Sequence, residues 1–375
     1  MENIKARFVS QKISKTRWRP EPASSLQPPD LFAVGSWDNE ENKVSIWSTG
    51  DFGTINMDED YLVEPKLLCD IRHRGDVTDL QFLDQERIVT ASSTGRVTIF
   101  RHHQTNQTLS EKQKWEHAHS HAGSNDVGAP CTGIVCSSPD IVSVGEDGRI
   151  NVFKADSKDI VRTIDDADSS TMHAVTFLRT TEILTVNSIG QLKMWDLRQQ
   201  GNDPTQIFSV ANERVPLHCL NRHPSQQHVV ATGGQDGMLC IWDVRQSKIP
   251  VSLLSAHDAE MWEVHFHPSK PDHIFTCSED GSLWHWDAST EAAERPNFLV
   301  GGRGNSHLSR STLGQSVNQS LMTAWLSSDP TKGHLEITNL MPSSTLSVNS
   351  LDVLGEYLVC GTDSESIYVF KNLFT

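Results

Sequence analysis

Short runs of alternating apolar and polar residues recur along the whole chain, separated by turns that contain Gly. The clearest marker is a run that ends in an aromatic residue, in most copies five positions after a Gly. The seven copies are KVSIW ending at Trp47, GRVTIF at Phe100, GRINVF at Phe153, GQLKMW at Trp195, GMLCIW at Trp242, GSLWHW at Trp286 and SIYVF at Phe370. Alternation with a period of two is typical of short antiparallel strands. The pattern predicts an all-β protein built from a repeated unit.

The spacing of these aromatic residues gives the size of the unit. Successive markers lie 53, 53, 42, 47, 44 and 84 residues apart. A unit of about 40 to 45 residues with four strands is typical of WD-repeat β-propellers. We therefore predict a seven-bladed WD-repeat β-propeller with loop insertions, occupying residues 1–375 as a single domain. The interval of 84 is one repeat plus an insertion, and a degenerate eighth blade around Trp325 is the alternative.

Comparison of the repeats also locates the insertions and the two ends of the repeat array. Insertions are predicted near 51–65, 103–130 and 291–332, where the repeat is interrupted. The first insertion is acidic, and a solvated loop is favoured there over a partner-binding loop. Residues 4–9, IKARFV, alternate before the first complete repeat, whereas little chain follows Phe370 to supply an outer strand. We expect residues 4–9 to close the ring as the outermost strand of the last blade.

The most complete copy of the repeat runs from His257 to Trp286. In WD-repeat propellers a His before the first strand, a Ser or Thr in the second, an Asp in the next turn and a Trp in the third strand form a hydrogen-bonded set. The corresponding residues here are His257, Ser278, Asp280 and Trp286. The set resembles a catalytic triad, but polar groups buried between strands need partners, and no oxyanion-stabilising Gly motif adjoins it. We expect it to be structural.

A run of histidines offers a possible metal site. His117, His119 and His121 alternate in HAHSHAG, and alternate residues of a strand share a face on which three imidazoles could meet a metal ion. The run has no nearby Cys and few carboxylates. We expect no metal, since a His-rich loop before a propeller strand also contains the ordinary structural His.

Composition narrows the function further. The formal charge of −16 and the pI near 5.4 argue against direct binding of nucleic acid, which requires clustered Lys and Arg. Seven scattered cysteines without a CxxC pair are typical of reduced core residues. No apolar run approaches a membrane span and no signal peptide is present, so we expect a soluble intracellular protein without direct membrane contact. Without a Gly-x-Ser-x-Gly elbow, phosphate loop or HExxH motif, we expect no enzyme, no catalytic residue and no cofactor.

Beyond the repeat, strings along nearly the whole chain are similar to one family. They are GSWDNEEN, CDIRH, DQERIV, SVGEDGRIN, TIDDADSSTMHAVTFLRT, EILTVNSIGQLKMWD, HVVATGGQDGML and AEMWEVHFHPS. They resemble the small WD-repeat nucleoporin of the Y-shaped, outer-ring scaffold subcomplex of the nuclear pore complex. The resemblance implies a structural subunit docked on a helical-solenoid subunit, with roles in mRNA export, protein transport and, with the whole complex, at kinetochores in mitosis.

A second resemblance implies a different class of function. Arg198 and Arg245 end two WDxR sequences in neighbouring blades, and this pattern resembles the adaptor-docking motif of substrate receptors of cullin ubiquitin ligases. An Arg two residues after a WD dipeptide is also common as a solvated or edge-pairing charge. We therefore keep the ligase receptor as the alternative to the nucleoporin.

Overall fold

Four-stranded antiparallel sheets account for nearly all of the regular structure. The computed structural model describes residues 4–21, 28–50, 64–121, 127–210, 214–246, 248–255, 257–289, 324–326, 335–341 and 345–374. These ranges contain twenty-eight strands, which pair into seven sheets of four. The seven sheets are the blades of a β-propeller, so the predicted fold class is confirmed.

In the first six blades the four strands follow one another in sequence, from the innermost to the outermost. Blade one contains β2 (Ile13–Trp18), β3 (Leu31–Ser36), β4 (Lys43–Ser48) and β5 (Lys66–Arg72). Blade two contains β6 (Val77–Phe82), β7 (Arg87–Ser92), β8 (Val97–His103) and β9 (Thr108–Trp115). Blade three contains β10 (Cys131–Ser137), β11 (Asp140–Gly145), β12 (Ile150–Lys154) and β13 (Arg162–Ile164).

The remaining blades continue this order. Blade four contains β14 (Met172–Arg179), β15 (Glu182–Asn187), β16 (Gln191–Asp196) and β17 (Gln206–Ser209). Blade five contains β18 (Leu217–Arg222), β19 (Val229–Gly234), β20 (Met238–Asp243) and β21 (Ser252–Ser255). Blade six contains β22 (Met261–Phe266), β23 (His273–Ser278), β24 (Leu283–Asp287) and β25 (Glu336–Asn339). Blade seven contains β26 (Val348–Leu354), β27 (Tyr357–Thr362), β28 (Ser366–Phe370) and β1 (Ile4–Phe8). Every aromatic marker of the sequence lies in the third strand of its blade.

The last blade combines both ends of the chain. Strand β1 pairs antiparallel with β28, with Ile4 opposite Phe370 and Phe8 opposite Ser366. The backbone N–H of Val9 continues the contact by donating to the carbonyl of Glu365 at 2.8 Å. An outer strand taken from the start of the chain thus covers an edge that would otherwise be unpaired.

Neighbouring blades pack face to face through apolar side chains. The fully buried residues include Trp195, Trp242 and Trp286. Glycines of second strands allow the next blade to approach: a Cβ at Gly35 would overlap Val77, and one at Gly361 would overlap Ile13. The seven cysteines are free thiols, five of them buried, and burial raises the pKa of Cys240 to about 12.

The structure differs from the sequence-based predictions in the 103–130 segment and settles the placement of Trp325. The insertion predicted at 103–130 contains a regular element, β9, whose eight residues TLSEKQKW form the outer strand of blade two. Half of its residues are exposed and only Trp115 is buried, so the sequence there is polar and lacks the alternation of an inner strand. Trp325 lies in a short 3-10 turn, Ala324–Leu326, that packs against blades five and six and belongs to no blade. The predicted insertion at 51–65 falls outside the described residues except for its last two, and that at 291–332 except for residues 324–326.

Candidate functional site

The hydrogen-bonded set of blade six is present but uses a different hydroxyl from the predicted one. His257 Nε2 lies 2.7 Å from Thr276 Oγ1, and the indole Nε1 of Trp286 donates to the same oxygen at 2.9 Å. On its other side, His257 Nδ1 lies 2.8 Å from Ser282 Oγ, and that hydroxyl donates to Asp280 Oδ1 at 2.5 Å. The chain of contacts leaves neither imidazole nitrogen of His257 unpaired.

The prediction that Ser278 joins His257 and Trp286 is wrong. Ser278 Oγ instead accepts the backbone N–H of Asp280 at 3.2 Å, inside the turn. Thr276 and Ser278 point to the same side of β23 because they are two residues apart, but Thr276 lies closer along the strand to Ile274, the residue opposite Trp286. Spacing within a strand cannot distinguish two hydroxyls on one face.

The same hydroxyl position recurs in other blades. In blade three, His119 contacts Ser143 Oγ at 2.7 Å and Asp147 Oδ1 at 2.8 Å. In blade two, His73 Nε2 contacts Thr90 Oγ1 at 3.1 Å, while Nδ1 contacts the carbonyl oxygen of Gly75 because Thr94 replaces the turn Asp. A contact repeated between blades at buried positions indicates a structural role.

Electrostatics of the blade-six set agree with that role. Burial lowers the pKa of His257, so its imidazole is neutral at pH 7. Burial opposes ionisation of Asp280, but hydrogen bonds from Ser282 and from the backbone of Asp258 outweigh it and hold the pKa of Asp280 below its usual value. A neutral imidazole held at both nitrogens has no free position from which to activate a nucleophile.

The three alternating histidines do not converge. His119 is fully buried in the blade-three set, whereas His117 and His121 are exposed. Both ring nitrogens of His119 are already committed. Within the residues that the structure describes, no group of three or more His, Cys, Asp or Glu side chains is placed to hold a metal ion.

Arg198 and Arg245 occupy equivalent positions just after the third strands of blades four and five. Each guanidinium makes a two-pronged contact with the Asp two residues earlier: Arg198 with Asp196 at 2.9 and 2.7 Å, and Arg245 with Asp243 at 3.0 and 2.8 Å. Their side chains remain 68% and 51% exposed. The geometry is that of a local charge pair at the blade edge, as expected of an Arg that follows a WD dipeptide and pairs at the strand edge.

A buried charge cluster that sequence reasoning missed lies in the central channel. The guanidinium of Arg17 in blade one donates to both carboxylate oxygens of Glu263 in blade six, at 2.8 and 3.1 Å, and Lys15 Nζ donates to Glu263 at 2.6 Å. Asp79 of blade two lies 3.6 Å from Arg17. Burial raises the pKa of Asp79, whereas Arg17 and Lys15 outweigh burial at Glu263 and hold its pKa well below the usual value.

Polar side chains of the first strands also connect neighbouring blades around the channel. Glu263 accepts the backbone N–H of Leu351 in blade seven at 2.9 Å. Asp352 of blade seven accepts the backbone N–H of Trp18 in blade one at 2.7 Å. Such contacts fix each blade relative to the next, so the ring presents its loops from a rigid frame.

One end of the channel is lined by aromatic and imidazole rings. His173, His218 and Trp262 occupy equivalent positions in β14, β18 and β22, with ring centroids 4.8 Å apart for the two histidines and 5.4 Å for His218 and Trp262. Beyond them a cavity of about 390 Å³ extends along the channel. Its wall on blades three to five is formed in part by small residues of the same strands, such as Ala174 and Cys219.

The two faces of the ring differ in charge. One face is formed by the loops that lead into the first strand of each blade and by the loops that join its second and third strands. We call it the acidic face. The channel mouth at Trp262 opens on this face. Its described loops carry seventeen acidic residues and five basic ones, Lys12, Arg74, Arg96, Arg149 and Arg214. The acidic residues are Asp38, Glu40, Glu41, Asp76, Glu116, Glu146, Asp147, Asp165, Asp166, Asp168, Asp236, Asp258, Glu260, Glu279, Asp280, Asp363 and Glu365.

The described loops of the opposite face, which join first to second strands and third to fourth strands, carry ten acidic and seven basic residues. Among the loops that the structure describes, the excess of negative charge therefore lies on the acidic face. No helix in the described part of the chain is long and apolar enough to cross a bilayer.

Comparison with known proteins agrees with this architecture. A family model described as "WD domain, G-beta repeat" matches residues 204–243 and 248–287. Each match begins at the outer strand of one blade and ends with the third strand of the next, the offset that lets β1 complete blade seven.

Full-length relatives are also found. A Mus musculus protein named Nucleoporin Nup43 is 68% identical over 100% of both chains, and a Homo sapiens protein of the same name is 67% identical over 100% of both. A Dictyostelium discoideum protein named Nuclear pore complex protein nup43 is 24% identical, over 61% of this chain and 50% of its own length.

Proposed function

Because this chain belongs to the Nup43 family of nucleoporins, we propose that it is a structural subunit of the outer ring of the nuclear pore complex, docked on a helical-solenoid subunit of the Y-shaped scaffold. Membership of this family makes the chain a non-enzymatic nuclear pore protein located at the nuclear envelope. The position within the Y-shaped complex is the further step that we propose.

The observation that carries the proposal is identity of 67–68% along the complete length of both chains. The match runs through the loops and strand edges as well as the repeat, which supports a shared docking role in addition to a shared fold. Generic repeats account only for the strand pattern.

The geometry suits a docking subunit. Seven blades are joined by polar contacts around the channel and by inter-blade apolar packing, and the outer strand of blade seven comes from the start of the chain. A rigid ring loses little conformational entropy when a partner binds its loops and edges. Such a ring can bind a solenoid subunit without rearranging its own core.

The proposed processes follow from the proposed position. We infer roles in mRNA export and protein transport through the pore, and a kinetochore role that the chain shares with the whole complex in mitosis. These roles belong to the assembly, to which this chain contributes a binding surface rather than a reaction.

Imaging of a fluorescently tagged chain tests the proposal. We expect a punctate nuclear rim in interphase and paired kinetochore foci in mitosis, with a tagged propeller from an unrelated complex as the control. A diffuse signal from intact protein in interphase would contradict the pore assignment. A rim without mitotic foci would keep the pore assignment and refute the kinetochore role.

A further inference from the structure

The acidic face has a built feature at its centre, the channel mouth formed by His173, His218 and Trp262. We propose that this face binds a Lys- or Arg-rich segment of a protein partner, with one cationic side chain held at the mouth between Trp262, His218 and Glu260. The proposal goes beyond docking on the pore scaffold and does not depend on it.

Hydrogen bonds fix the orientation of the side chains at the mouth. Trp262 Nε1 donates to Ser347 Oγ at 3.0 Å, which sets the orientation of the indole. Gln235 donates to one carboxylate oxygen of Glu260 at 3.0 Å, and the other oxygen lies 3.4 Å from His218 Nε2. That nitrogen is buried, so the group that can accept an N–H from outside is the carboxylate of Glu260, whose side chain is 25% exposed.

Equivalent positions in other blades behave differently. Thr78 and Thr132 each donate to a carbonyl of the next blade's first strand, and Asn349 donates to the carbonyl of Ile13. These three side chains thus serve the ring itself. His173 and His218 stack edge to face on each other instead, which leaves the mouth open above the cavity.

The chemistry of the mouth favours a cation. Burial lowers the pKa of His173 to about 4 and lowers that of His218, so both imidazoles are neutral at pH 7. The faces of Trp and uncharged His rings attract an ammonium or guanidinium group. The positive groups deeper in the channel, Lys15 and Arg17, are both paired with Glu263.

The cavity has room for the side chain. Its volume of about 390 Å³ exceeds that of a Lys or Arg side chain with several waters, at about 30 Å³ per water.

The charge around the mouth selects a basic segment rather than a single cation. Asp236, Asp258 and Glu279 lie in loops of blades five and six beside Glu260. Long-range attraction from seventeen acidic residues on one face orients a basic chain toward it. An extended segment places further Lys or Arg residues over these carboxylates.

Peptide binding to the intact chain tests the proposal. We would measure fluorescence anisotropy of a short labelled arginine-rich peptide, a lysine-rich one and a glutamate-rich one of equal length, at several salt concentrations. We expect the two basic peptides to bind, with affinity that falls as salt rises, and the glutamate-rich peptide not to bind. Glu260→Gln should weaken binding of the basic peptides about fivefold, because it removes the negative charge that pairs with the bound cation but keeps the shape of the side chain.

A matched control lies on the opposite face. Glu356→Gln makes the same change in an exposed loop between β26 and β27 and should leave binding unchanged. Trp262→Leu, in protein shown by circular dichroism to be folded, should weaken binding about as much as Glu260→Gln. If the Trp262→Leu protein does not fold, the comparison of peptide affinity between Glu260→Gln and Glu356→Gln is sufficient to test the proposal. Equal affinity of those two variants, or no binding of either basic peptide at low salt, would overturn the proposal.

Discussion

The buried contact between Arg17 and Glu263 provides the sharpest test of how the ring is held together. Replacing Arg17 by Met keeps most of the side-chain volume but removes one of the two buried cations that pair with Glu263 and leaves Lys15 as the other, in a site where the Glu263 side chain is 5% exposed. Removing one partner of a buried ion pair costs about 3 to 5 kcal/mol. An unfolding entropy of about 2.1 cal/mol/K per residue gives this chain about 0.8 kcal/mol/K, so Tm should fall by about 5 °C.

Differential scanning calorimetry at several pH values checks both the size and the cause. In the native protein the pKa of Glu263 is depressed, so its contribution to stability is present above the unfolded pKa and is lost as pH falls through the folded pKa. Without Arg17 the pKa of Glu263 rises and protonation relieves the unpaired charge. The stability difference between the two proteins should therefore narrow as pH falls from 7 toward about 4.

Arg19→Met is the matched control, because Arg19 pairs with Asp30, whose side chain is 63% exposed. That change should cost less than about 1 kcal/mol. A loss from Arg17→Met as small as this control, or a difference independent of pH, would refute the argument that the channel pair stabilises the ring.

Three further predictions address the remaining features. Thr276→Val removes one hydroxyl and leaves the buried indole donor of Trp286 and the buried imidazole acceptor of His257 unpaired, so it should destabilise the protein by about 2 kcal/mol in urea unfolding, with partner binding of the folded protein unchanged; a wild-type midpoint would show that the hydroxyl contributes nothing. Replacing Arg198 and Arg245 together by Ala should leave the nuclear-rim signal unchanged, since docking on a solenoid spreads over a large surface, and loss of rim signal from the folded variant would favour the ligase alternative. Deleting residues 1–10 should lower Tm and promote aggregation more than deleting ten residues within 300–320, because it exposes the edge of the last blade. Equal stability of the two truncated proteins would mean that the ring is closed in another way. If the blades form one domain, calorimetry of the intact chain should show a single transition.

The blade count could be predicted from sequence because each third strand repeats a local pattern. An aromatic residue such as Trp195 or Phe153 ends a run whose alternation is set by strand geometry, and both are buried between blades. Outer strands have no such constraint. In β9 only Trp115 is buried and half of the residues are exposed, so its sequence is polar and could not be distinguished from a loop.

The candidate sites were less predictable, for two physical reasons. Thr276 and Ser278 share one face of β23, so the alternation pattern cannot decide which one meets Trp286; the pairing of Ile274 with Trp286 does, because Thr276 is the nearer of the two along the strand. The channel cluster depends on contacts between residues far apart in sequence, such as Arg17 and Glu263, 246 positions apart. Only closure of the ring brings those strands together. The one sequence signal for the cluster was a charged residue within an apolar strand, such as Glu263 in MWEVHF.

Quantitative affinity purification of the tagged chain from interphase cells tests the central claim most directly. If the chain is an outer-ring subunit, the other members of the Y-shaped complex should be recovered in amounts equal to the bait. The Glu356→Gln protein, altered on an exposed loop, should give the same recovery and serves as the internal standard. Recovery of a cullin and its adaptor in stoichiometric amounts, with the Y-shaped complex absent, would contradict the account.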